Sequence, residues 1–191
     1  MLHLSRPSQE AIREFIASQK DQTFSYAHAG ATREQPPKGY TVDHNRVQLG
    51  QGMDDFLRAK AAITGWKMFE VEGLTLCYPD TPIATGATVA LLASHFGLWS
   101  LNPCRIVYLV EEPGAVERYG FAYGTLPQHA VIGEERFTVE YHAADQSVWY
   151  DLYAFSRPTF LAALAYPLAR TLQRRFARDS NRAMQLALKI G

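Results

Sequence analysis

Across residues 8 to 20, SQEAIREFIASQK, apolar side chains recur at three- and four-residue spacing. Ile12, Phe15 and Ile16 fall on one face, and Ser8 stands where an N-cap belongs, so a short amphipathic helix is predicted. Residues 24 to 39 lose all periodicity and carry Gly30, Pro36, Pro37 and Gly39, the composition of a loop. Tyr40 to Leu49 alternates as a strand does, Gly50-Gln51-Gly52 turns the chain, and MDDFLRAKAAITGW returns to helical spacing. Phe56, Ala59, Ile63 and Trp66 share a face of that helix, and Asp54 and Asp55 lie in its first turn, where they complement the helix dipole.

From Leu74 to residue 156 the pattern is strand after strand. Segments 74–78, 87–96, 104–112, 117–126, 131–142 and 147–156 are divided by turn signals such as Pro113-Gly114. With 40–49 they make about seven strands of one antiparallel sheet. Thr159 to Lys189 then reads as one long helix, with Phe160, Leu164, Leu168, Leu172 and Phe176 as its apolar stripe and Pro167 as a kink or a break. The predicted class is α+β: a single domain over 1–191 with a helical extension at about 8–20. A curved sheet of six or seven strands wraps the long C-terminal helix. This order of elements resembles the helix-grip arrangement of the START and Bet v 1-like proteins.

Alternation assigns the faces. On 131–142, Glu135, Phe137, Val139 and Tyr141 share one side and Glu134, Arg136, Thr138, Glu140 and His142 the other. On 117–126, Tyr119, Phe121 and Tyr123 oppose a row of small residues, Gly120, Ala122 and Gly124, which lets another element approach closely or leaves space. On 147–156, Trp149, Asp151, Tyr153 and Phe155 oppose Val148, Tyr150, Leu152 and Ala154. Segments 87–96, 104–110 and 147–156 are apolar on both faces. One face is expected to meet the last helix and the other to need cover from the N-terminal residues or a second subunit.

Charge narrows the function classes. Lys plus Arg and Asp plus Glu each number 19, so the net charge is zero and the basic excess of a nucleic-acid binder is missing. Cys77 and Cys104 form no CxxC, are not needed as a disulfide scaffold, and read as reduced thiols of a cytoplasmic protein. No stretch is long and apolar enough for a membrane span, and the first residues lack a signal-peptide core. Arg170, Arg174, Arg175, Arg178 and Arg182 read as the solvated face of a helix, interrupted by Asp179, rather than as a membrane-binding strip.

Candidate chemistry gathers at His129, Glu134, Glu135 and Arg136. Glu135 and His129 are the candidates for acid/base work, with Arg136 to fix an anionic group. Alternation puts Glu135 on the apolar face, where burial raises a carboxyl pKa; the competing reading is an ion pair with Arg46 or Arg157. The expected ligand contacts are Arg46, Tyr123, Glu135, Tyr153 and Arg157, with Trp66, Phe137 and Tyr141 as wall. No His or Cys spacing suggests a metal, no GxSxG marks a nucleophile, and Gly50-Gln51-Gly52 lacks the third Gly or Lys of a phosphate loop. No cofactor is expected.

Five stretches, AGAT…PPKGYTVDHNRVQLGQG, FLRAKAAITGWKMF, GFAYGTLP.H…GEERFTV, VWYDLYAFSRP and PLARTLQRRFARDS, together resemble a domain-of-unknown-function family of bacteria and plants. The resemblance spans most of residues 24 to 182. Between His129 and Gly133 that family prefers Pro, Glu and Arg where this chain has Ala130, Val131 and Ile132, which weakens a catalytic role for the turn. The resemblance implies kinship with the START and Bet v 1-like group, whose members commonly hold hydrophobic ligands. The expected function is binding of a lipid-like, aromatic or polyketide-like molecule between sheet and last helix. An enzyme in the same pocket and a homodimeric interaction module are the alternatives.

Overall fold

The computed structural model describes residues 2–95, 97–159 and 166–190. Its strands are β1 (Leu2–His3), β2 (Thr41–Gln51), β3 (Leu74–Cys77), β4 (Thr88–His95), β5 (Leu98–Glu112), β6 (Val116–Thr125), β7 (Val131–His142) and β8 (Ser147–Pro158). Three α-helices are described, α1 (Gln9–Gln19), α2 (Met53–Thr64) and α3 (Tyr166–Ile190). Every strand pairing is antiparallel, in the order β2-β8-β7-β6-β5-β4-β3, and the short β1 adds to β5. Strands β3 to β8 form a meander, as short turns between alternating segments dictate. β2 instead pairs with β8, so the first long strand and the last lie side by side.

Helices α2 and α3 both pack on one face of the sheet. There Phe56 and Ile63 of α2 and Ala177, Met184 and Leu188 of α3 close over Phe121, Phe137, Val139, Val148, Tyr150 and Leu152. The buried Tyr150 hydroxyl meets Ser180 Oγ at 2.9 Å, tying strand to helix without leaving a polar group unpaired. A sheet gripping a long terminal helix is the helix-grip arrangement, as the element order predicts.

The outer face explains the strands that are apolar on both sides. Ile12 and Ile16 of α1 pack on Cys77, Ala90, Leu92 and Leu101. Tyr26 and Tyr40, from the segment between α1 and β2, meet Phe155 edge-on at 5.7 and 5.2 Å. Gly124 permits this: a Cβ there would lie 2.2 Å from the Tyr26 hydroxyl. The chain's own N-terminal segment thus supplies the cover over this part of the sheet. Strand β5 adds a second cause. A bulge between Ile106 and Tyr108 turns Ile106 into the helix-side core while Tyr108 packs outside with Val110 and Ala122.

The largest departures from expectation lie at β5 and β1. β5 begins at Leu98, not 104, because Pro103 hides a strand from a propensity reading. The dipeptide strand β1 is too short to announce itself. The long helix is described over Tyr166–Ile190, with Pro167 near the start of that stretch; the expected stripe positions Phe160 and Leu164 lie outside the described residues. None of the described helices is long and apolar enough to cross a membrane.

Candidate functional site

One row of residues crosses the helix-side face of the sheet. Tyr123 of β6 pairs with Glu135 of β7, Glu135 with Ala154 of β8, and Ala154 with Asp43 of β2. Directly opposed residues in adjacent strands project side by side. The row therefore reads phenol, carboxyl, methyl, carboxyl, and the small Ala154 leaves space between its neighbours. A cavity of about 320 Å³ opens over this row, lined by apolar groups from Leu74, Leu91, Leu152, Leu172, Phe176 and Ala177.

Its polar groups are few and held. Tyr123 donates its hydroxyl to Glu135 Oε2 at 2.8 Å. Arg170 of α3 grips Asp43 with both terminal nitrogens, at 2.6 and 2.7 Å, and donates to Gln173 Oε1 at 2.8 Å. Gln173 in turn donates to Ser156 Oγ at 3.1 Å. These bonds fix α3 on the β2–β8 side of the cavity. Burial raises the Glu135 carboxyl to about 7; the Tyr123 hydrogen bond opposes that rise, and the charge of Asp43 adds to it. Burial also pushes the Tyr123 phenol well above its ordinary range.

His129 lines the same cavity. Its Nδ1 accepts the Val131 N–H at 3.0 Å, and burial lowers the ring to about 4, so it is neutral at physiological pH. Glu134 leaves β7 on the other face. Its carboxylate accepts Tyr26 Oη at 2.6 Å, Gly30 N at 2.6 Å, Thr32 N at 2.9 Å and the Thr32 hydroxyl. It anchors the loop that covers the outer face.

Of the expected ligand contacts, Tyr123 and Glu135 line the cavity. Trp66, Phe137 and Tyr141 share the helix-side face but fill the adjoining core. Phe137 stacks on Phe121 and is flanked by Phe69 and Tyr123, Trp66 donates Nε1 to the Thr81 carbonyl at 3.0 Å, and Tyr141 lies against Phe56. Arg46, Tyr153 and Arg157 require correction: all three lie on the outer face. Arg46 binds Glu140 Oε2 at 2.6 Å and stacks on Trp149; Tyr153 stands edge-on to His44; the exposed Arg157 covers Tyr40. The proposed ion pair of Glu135 with Arg46 or Arg157 is therefore not made. Arg136 also faces outward, donating to the Thr32 carbonyl at 3.0 Å and to Asp151 at 3.3 Å.

Asp43, Asn45, Ser156, Arg170 and Gln173 were not expected at the site, though all but Arg170 line the cavity and Arg170 is fixed through Asp43. Alternation puts Asp43 and Asn45 on the same side of β2 as Val47 and Leu49, a mixed face that signals polar groups beside a core. A larger concavity of about 780 Å³ lies on the outer face, but most of its charges are spent on one another: His44 and Arg136 on Asp151, and Arg46, Arg118 and His142 on Glu140. There burial disfavours the Glu140 charge, yet hydrogen bonds from Arg118, His142 and Arg46 outweigh it and hold the group at about 2. Among the described residues no three His, Cys, Asp or Glu converge as a metal site, and both cysteines are free thiols.

The chain is similar to proteins of distant organisms. A relative from Deinococcus radiodurans, a UPF0548 protein, is 40% identical over 196 residues, covering 96% of this chain and 97% of the relative. A UPF0548 protein of Dictyostelium discoideum is 34% identical over 208 residues, covering 98% and 96%. Among solved structures, a hypothetical protein from Helicobacter pylori matches with a TM-score of 0.53 at 15% identity, over 87% of this chain and 96% of that one, a likeness of fold. Residues 25–183 match the model of a domain of unknown function, DUF1990, and the chain belongs to that family.

Proposed function

We propose that the cavity between the sheet and α3 binds a small hydrophobic molecule through its apolar body and through one polar group placed against Glu135 and Tyr123. The supporting observation is the row Tyr123–Glu135–Ala154–Asp43, in which a methyl side chain leaves space beside a carboxyl that no cation neutralises among the described residues. Ligand sites are mostly apolar concavities with a few convergent polar groups, in the range of about 300–1,000 Å³. The cavity has that composition and lies at the lower end of that range, which suits a one- or two-ring compound better than a long acyl chain. Native mass spectrometry of gently purified protein, beside an Ala154→Phe variant, tests this reading. A bound small molecule in the parent that is absent from the variant is the expected result. No bound molecule, together with no binding of naphthalene-sized probes to the parent, would remove it.

A second reading uses the same pocket for acid/base chemistry. Its support is the Glu135 carboxyl at about 7, the range in which a general acid or base works best at neutral pH. His129 is less suited, because it is neutral and its Nδ1 is engaged by Val131. Turnover of a metabolite panel that survives unchanged in Glu135→Gln would exclude Glu135 from any such mechanism.

A further inference from the structure

The charges around the cavity are unequal, and this bears on what kind of head group it takes. Asp43 is neutralised by the two-pronged grip of Arg170. Among the described residues, Glu135 has only the Tyr123 hydroxyl as a hydrogen-bond partner. Glu134, whose backbone borders the same space, turns its carboxylate to the outer face and its four donors there. His129 is neutral, and Cys104, which lies near Glu135, is a buried thiol whose pKa burial drives well up. Arg174, the arginine among the described residues that does line the cavity, is exposed to solvent. Among the described residues, the interior therefore holds Glu135 and Asp43, with a base, the engaged Arg170, paired to Asp43 alone. Glu135 and Asp43 stand two strands apart, about 10 Å along the sheet, with only the Ala154 methyl between them.

Resting on the ligand-binding reading above, we propose that the site selects molecules whose apolar body carries a protonated amine, seated over Ala154 against Glu135, and disfavours carboxylates of the same shape. An ammonium offers up to three N–H donors and a charge that the unneutralised acid lacks. A ligand carboxylate would meet Glu135 as a like charge, with no free buried cation among the described residues to receive it.

A matched set of probes separates this claim from the one beneath it. The affinities of 2-naphthylmethylamine, 2-naphthalenemethanol and 2-naphthoate for the full chain would be measured by calorimetry at pH 6 and pH 8. The amine is expected to bind at least tenfold tighter than the carboxylate at pH 8, with the alcohol between. Amine binding favours ionised Glu135, so it should strengthen by about tenfold from pH 6 to pH 8, while the alcohol changes little. In Glu135→Gln the amine should lose its advantage and its pH dependence while the alcohol still binds. Equal binding of all three probes, or a preference for the carboxylate, would overturn amine selection and leave the ligand-binding reading standing. Binding of none would overturn both.

Discussion

Glu134 and Glu135 are adjacent in sequence and opposite in consequence. Glu134 turns outward and gathers Tyr26, Gly30 and Thr32, fixing the loop that covers the sheet. Glu135 turns inward, takes the Tyr123 hydroxyl and borders a cavity. One residue holds the fold and the other offers chemistry, and strand alternation separates them.

Glu134→Gln should therefore destabilise the protein without touching the cavity. The amide would present an NH₂ group to donors that need an acceptor, and a buried donor left unmatched costs about 1–3 kcal/mol. Urea unfolding should show a loss of about 2–3 kcal/mol, with the affinity for 2-naphthalenemethanol kept within twofold.

Glu135 predicts a pH dependence of stability. Its folded-state pKa, at about 7, lies above the ordinary 4.5, so the native state holds this proton more tightly. Its contribution is fully present below pH 4.5 and is lost as pH rises through 7, about 3 kcal/mol in all. Glu135→Gln keeps an acceptor for Tyr123 and cannot ionise, so its stability should not fall across that window. Urea midpoints of both proteins from pH 5 to pH 8 should cross, with the variant the more stable at pH 8.

Tyr123→Phe removes the hydrogen bond that opposes this rise. The Glu135 carboxyl should then titrate at a higher pH than in the parent, by carbon-13 NMR of the side-chain carboxyl. An unchanged or lower midpoint would mean that the phenol does not support the ionised form.

Arg46→Ala should act on the outer face alone. Arg46 joins Arg118 and His142 on Glu140. Its loss should cost about 1–2 kcal/mol, as expected for a charge-assisted bond to a largely buried acid. Stability would also start to fail at higher pH on acidification, because the Glu140 carboxyl would rise from about 2. Probe binding should be unaffected.

Much of this arrangement is legible in the chain. The alternation of residues 131 to 142 separates Glu134 from Glu135, and the small residues Gly120, Ala122 and Gly124 announce a close approach, which Tyr26 makes at Gly124. What alternation withholds is which face of each strand meets the helices. Tyr153 shares its side of β8 with Trp149 and Asp151, and that side proves to be the outer one. Arg46 follows it there because β2 pairs with β8, a neighbour relation between strands a hundred residues apart that local pattern does not carry. The Asp43–Arg170 pair was hidden for the same reason, since it joins the first long strand to the last helix.

Nitrogen-15 NMR of the full chain, titrated with 2-naphthylmethylamine at pH 8, reports residue by residue whether the space over Ala154 receives a ligand. Saturable shifts should centre on Tyr123, Glu135, Ala154 and Ala177 and should vanish in Ala154→Phe. Shifts centred on Arg46, Arg136 and Glu140 instead, or none at millimolar probe, would contradict binding at that place.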